Sequence, residues 1–175
     1  MDITQLIADD HAEQRRLFAL IEELSPSDAA ALKSVWARLR ALLDTHALAE
    51  ECFFYPELLK IGRGADHETP TEEKRDAIKD HNEIRDTDAD VDRKPLGSPE
   101  WFDALAACNK ANSDHMDEEE RQGLTDFRQH ADLDLRHRLG VQFLQFESEH
   151  LTGDGVKPVD RDVDEYVLEN SYSGA

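Results

Sequence analysis

Asp10-His11-Ala12-Glu13-Gln14-Arg15 returns seventy residues on as Asp80-His81-Asn82-Glu83-Ile84-Arg85. A second pair follows with an offset of 69: His46-Ala47-Leu48-Ala49-Glu50-Glu51 and His115-Met116-Asp117-Glu118-Glu119-Glu120. The four histidines (11, 46, 81 and 115) therefore stand 35, 35 and 34 residues apart. A repeat of this period is what duplication of a helix pair leaves behind.

Apolar residues around these segments recur at helical spacing. The first helix is predicted over about 3–24. The turn Ser25-Pro26-Ser27-Asp28 offers a serine cap and a first-turn proline for the second. That helix runs past Phe53, with Pro56 distorting its end and Gly62 and Gly64 stopping it. A loop over 62–69 leads to Thr69-Pro70-Thr71-Glu72, a capping box that starts the third helix. The fourth runs from Pro99 to about Phe127, and a further helix covers 131–149. Strand signals are nearly absent. The expectation is an all-α, up-down four-helix bundle with an additional C-terminal helix over residues 1–150, followed by a flexible acidic tail over 151–175. Within that tail, Tyr166, Val167 and Leu168 can dock as a short piece.

The 40 acidic against 20 basic residues, a formal charge of −20, argue against nucleic acid and anionic membrane as partners, because phosphates would be repelled. Two cysteines, Cys52 and Cys108, imply no disulfide framework, so a reducing compartment fits. The N-terminus lacks a basic segment followed by an apolar one, and no apolar run approaches the ~18 residues of a membrane span. A cytoplasmic protein, monomer or weak dimer, is expected.

His46 and Glu50 lie four residues apart, about 40° around a helix, so both side chains aim at one point. His115 and Glu119 repeat the arrangement. With His11 and His81 they make four imidazoles and two carboxylates, one histidine per helix. Imidazole with carboxylate suits iron, manganese or zinc, and two carboxylates with room to bridge suggest a pair of metals in the bundle core. A metal-free bundle would bury Glu50 and Glu119 at a cost of several kcal/mol.

These residues resemble the hemerythrin-like HHE cation-binding family: His11, His46-x3-Glu50, His81 and His115-x3-Glu119, with Asp-His-x3-Arg at 10–15 and 80–85 and Glu-Glu followed by aromatic-Pro-x-Leu at 50–58. The resemblance, to short bacterial-type members, covers about residues 5–125. It implies two iron ions, oxo- or hydroxo-bridged, with Glu50 and Glu119 bridging and the four histidines terminal in pairs. Oxygen carriers of the family have a second third-helix histidine, four residues from the first; Ala77 and Arg85 stand there in this chain. The fourth helix of carriers also spaces its histidine and aspartate more widely. These departures favour reaction with hydrogen peroxide, nitric oxide or dioxygen, catalase-like or protective against oxidative and nitrosative stress, over reversible oxygen carriage. With only two anionic ligands a diferrous pair keeps positive charge, which stabilises the reduced state. The alternative is a non-enzymatic iron or oxygen sensor, or a dioxygen-binding protein.

Tyr55 lies nine residues from His46, about 180° around a straight helix, which points to core packing. The distortion at Pro56 and the likeness to short bacterial relatives leave open a role as an additional phenolate ligand. Glu51 and Glu118 are expected to be solvated neighbours, with Glu118 able to exchange for Glu119 in a distorted helix. Arg15 and Arg85 fall one turn beyond a histidine; surface ion pairs are expected, and acidic partners near the site are the alternative. His67, His130, His137 and His150 stand outside the pattern, in surface or capping positions, while Trp36, Trp101 and Phe53 read as core.

Overall fold

The computed structural model describes residues 1–64, 69–157 and 159–171, apart from the side chain of Glu73; His67 lies outside the described residues. Those residues are helical, with no strand among them. Helices α1 (Ile3–Glu23) and α2 (Ala29–Ala49) pack together as one hairpin, and α4 (Pro70–Arg93) and α5 (Pro99–Arg121) as another. Between the hairpins, α2 runs through a π-helical turn, Glu50–Phe54, into the short α3 (Tyr55–Ile61). Then come α6 (Gly123–His130), α7 (Leu133–Glu149), which packs on α1, and α8 (Val163–Ser171), which packs on α4. No described helix is long and apolar enough to cross a membrane.

The helix ends follow local chemistry. Thr69 and Glu72 complete the capping box at the start of α4, and Ser98 caps α5 through the Trp101 N–H. At α2 the cap is Asp28, which accepts from the Ala31 N–H at 3.0 Å, rather than a serine. The fourth predicted helix is interrupted: Gln122 leaves the helical region (φ −104°, ψ −81°) and separates α5 from α6.

Two apolar clusters fill the interior. One, near the hairpin turns, is built from Leu17, Phe18, Trp36, Trp101 and their neighbours; the other gathers Ile7, Phe54, Leu58, Phe127 and Phe143. Phe53 is only partly buried, against the second cluster. The histidine-bearing turns form a polar layer, and each apolar cluster removes from water surface worth roughly 25 cal/mol per Å².

Gly97 joins the two hairpin turns. Its φ of +76° is a left-handed conformation, and a Cβ there would stand 2.5 Å from the Pro26 carbonyl oxygen. Gly97→Ala is therefore expected to destabilise the fold by about 1–2 kcal/mol from the backbone conformation alone. The steric contact adds to this, and a lowered urea midpoint at unchanged slope measures the total.

The sequence left residues 151–175 as a mobile tail or a docked piece. Over 163–171 a helix forms and Tyr166 docks: it is buried in the second apolar cluster with Lys74 of α4 over its ring, while Leu168 stays exposed.

Candidate metal centre

The structure brings His11, His46, Glu50, His81, His115 and Glu119 together in the layer between the clusters, and all six are buried. His46 Nε2 lies 3.0 Å from Glu50 Oε1, and His81 Nε2 lies 3.2 Å from Glu50 Oε2. His11 Nε2 stands 3.4 Å from Glu119 Oε2 and 3.9 Å from Glu50 Oε1. His81 Nε2 and His115 Nε2 are 3.2 Å apart. Glu119, not Glu118, is the residue of α5 that meets His11 Nε2; Glu118 lines a small cavity beside it.

Three groups of possible ligand atoms result among the described residues: His11–His46–Glu50 and Glu50–His81–His115, both buried and with Glu50 common to them, and Asp10–His46–Glu147, where Asp10 is only partly buried. Several of these atoms make no hydrogen bond: His11 Nε2, His46 Nε2, Glu50 Oε1 and both oxygens of Glu119. A buried polar atom without a hydrogen bond costs about 1–3 kcal/mol, and a cation held among these atoms would relieve that cost. The residues present fit a metal.

The electrostatics agree. Burial and the charge of Glu50 push the Glu119 carboxyl well above its ordinary range. Burial would raise Glu50 too, but His46 and His81 outweigh it and hold Glu50 well below that range. Burial opposes the charged form of His46, yet Glu50 and Asp10 raise it. The two facing carboxylates thus resist carrying charge together, and positive charge beside them favours the ionised forms.

Each histidine turns its other ring nitrogen outward to a carboxylate. His11 Nδ1 meets Glu120 Oε1 at 2.9 Å, and His46 Nδ1 meets Asp10 Oδ2 at 3.1 Å. His81 Nδ1 meets Glu51 Oε1 at 3.0 Å, and His115 Nδ1 meets Asp80 Oδ2 at 3.5 Å. Such carboxylates fix ring orientation and tautomer so that Nε2 stays free to bind. They are the functional residues the sequence reading missed. The signal was present in the repeats: Asp10 and Asp80 precede a histidine, and Glu51 and Glu120 follow a glutamate.

Two expectations are corrected here. Glu51 is not solvated: its side chain is fully buried, shared among His81, Arg85 and Arg161. Burial alone would raise its carboxyl, but His81 and then Arg85 hold it at about 2. Arg85 is not a surface residue either; it is buried against Glu51, and Arg15 pairs in the same way with Glu120 at 2.8 Å, near the surface. The hydrogen bond from His11 and then that from Arg15 hold Glu120 at about 2.

The π-helical turn settles where Tyr55 goes. Pro56 has no N–H, and its ring collides with the carbonyl four residues back. The Tyr55 N–H reaches instead to the carbonyl of Glu50, five residues back. The extra residue in the turn brings Tyr55 onto the face of Glu50. Its hydroxyl lies 3.3 Å from Glu50 Oε2, to which it donates, and 3.3 Å from His81 Nε2. The remaining histidines sit elsewhere: His130 and His150 reach carbonyls one turn back, and His137 is exposed near the carbonyl of Met1. Cys52 and Cys108 are free thiols.

This geometry sits within a recognisable class. The chain belongs to the hemerythrin HHE cation-binding domain family, whose model matches residues 2–124. No curated protein and no solved structure matches the chain. Domains of this family bind metal ions, typically iron, and small ligands such as oxygen.

Proposed function

We propose that residues 1–150 act as an up-down four-helix bundle holding two bridged iron ions, and that the protein reacts with hydrogen peroxide, nitric oxide or dioxygen. His11 and His46 would take one ion and His81 and His115 the other, with Glu50 and Glu119 spanning both and Tyr55 joining on the His81 side. The observation that carries this reading is the convergence of unpartnered Nε2 and carboxylate atoms on one buried point, with Glu50 common to two ligand groups. Iron, when bound, supplies Lewis acidity and one-electron chemistry.

The protein's own part is positioning and access. The four outward carboxylates keep all four rings aimed inward, and the apolar clusters above and below exclude bulk water. A cavity of about 20 Å³, lined by Tyr55, Ala77, His115, Glu119 and Gly123, adjoins the site. That volume admits one water-sized molecule and little more. Small oxidants fit it and larger organic substrates do not. It lies beside Ala77, where a carrier-type histidine would otherwise project.

Protein purified from iron-replete cells is expected to carry two irons per chain and, once reduced, to be reoxidised by nitric oxide or dioxygen, or by one peroxide that leaves as water while a second peroxide returns the two electrons and leaves as oxygen. Absence of iron, or iron-loaded protein inert to all three, contradicts the reading. Tyr55→Phe is expected to keep the iron content and to abolish the visible phenolate-to-ferric absorption. Survival of that band in the variant rules out Tyr55 as a ligand.

A further inference from the structure

Residues 159–171 lie outside the segment 2–124 that defines the family, yet they grip the candidate site from behind. Arg161 Nε donates to Glu51 Oε2 at 2.9 Å. The backbone of Arg161 and the side chain of Asn82 exchange two hydrogen bonds of 2.9 Å each. The Tyr166 hydroxyl donates to the Glu51 carbonyl, and Lys74 Nζ lies 4.2 Å from the centre of its ring. Arg75 pairs with Asp164. Both anchor points touch the site: Glu51 holds His81 Nδ1, and Asn82 follows His81 in the chain.

The internal repeat supplies a built-in comparison. Glu120 stands to His11, and Arg15 to Glu120, as Glu51 stands to His81 and Arg85 to Glu51. In one half the carboxylate meets Arg15, and its side chain is 36% exposed. In the other it meets both Arg85 and Arg161 and is wholly buried. The asymmetry comes from the segment beyond the family domain.

We propose that residues 159–171 form a strap that sets the affinity and reduction potential of the ion held by His81 and His115, with Arg161 a positioning residue that acts through Glu51. This rests on the two-iron reading above. A carboxylate facing Nδ1–H draws the proton toward itself and makes the imidazole a stronger donor, which favours ferric iron. Each guanidinium on Glu51 opposes that pull, so the ion on this side stays ferrous more readily. Arg161 also holds the Glu51 carboxylate in place against His81, and losing partners that orient a ligand typically weakens metal binding 10–100-fold, which outweighs the gain in donor strength. The coupling is reciprocal: an ion on His81 tightens the strap by the factor by which the strap tightens the ion.

The test uses the full chain with Arg161→Gln, Arg161→Lys and Tyr166→Phe. Ferrous iron is titrated anaerobically against a competing chelator, the potentials of the loaded proteins are measured, and amide exchange is followed across 163–171. In Arg161→Gln one of the two irons is expected to bind about tenfold more weakly while the other is unchanged. Its ferric-to-ferrous equilibrium is expected to shift about tenfold toward ferric, ~59 mV for one electron. Arg161→Lys restores most of both shifts because the charge returns. Tyr166→Phe, which removes only the hydroxyl, gives a smaller loss at the same iron. In the wild type, iron removal speeds exchange across 163–171. Unchanged affinities and potentials in all three variants, or equal weakening of both irons, overturns the strap. Wild-type protein that takes up no iron overturns the two-iron reading and the strap with it, an outcome visible without any variant.

Discussion

Glu50→Ala is expected to empty both metal positions at once, taking iron content from two per chain to near none. Glu50 is the one residue shared by the two buried ligand groups, with its oxygens 3.0 Å from His46 Nε2 and 3.2 Å from His81 Nε2. Removing it would take a ligand from each ion and leave Glu119 as the one carboxylate of the proposed ligand set. His115→Ala touches only one group, so that variant is expected to lose one ion and hold the other more weakly. Metal analysis by mass spectrometry separates the two outcomes. Glu50→Ala protein that still carries two irons contradicts the shared role of Glu50.

Stripping the metal from wild-type protein is expected to produce the second large effect, a fall in thermal stability. The metal-free interior leaves Glu50 facing Glu119, and Nε2 of His11 and of His46 without a hydrogen bond. Iron bound only by the folded chain adds about 4 kcal/mol when free iron stands at a thousand times its dissociation constant. For a chain of this size that corresponds to about 8–16 °C in Tm, at roughly 2–4 °C per kcal/mol. Calorimetry of loaded and chelator-treated protein measures it. Equal melting temperatures in the two forms would show that the cluster of orphaned atoms does not respond to a cation.

The four long helices and the convergence of six side chains were legible because they rest on periodicity and repetition, which a chain displays without its fold. The capping box at Thr69 and the stop at Gly62 were legible because their determinants are local. What stayed hidden depends on residues distant in the chain. Glu51 reads as a solvated acid until Arg85 and Arg161, 34 and 110 residues away, close over it. The placement of Tyr55 turned on one extra residue in a helical turn. Pro56 announced a distortion there, but not whether the turn would kink outward or widen inward. The docking of α8 was hidden for a related reason: nine residues with one buried aromatic carry too weak a pattern, and the group over the Tyr166 ring is Lys74 of α4, distant in the chain. The outward carboxylates were visible as repeated letters, but their role appears only when α1 crosses α2 and α4 crosses α5, so that Asp10 serves His46 and Asp80 serves His115.

Anomalous X-ray scattering at the iron edge from crystals of the loaded protein addresses the central claim most directly. Two iron peaks are predicted in the layer between the apolar clusters, one against His11 and His46 and the other against His81 and His115, with Glu50 in contact with both. A single peak, a peak displaced toward Asp10 and Glu147, or no peak in crystals of iron-loaded protein would contradict it.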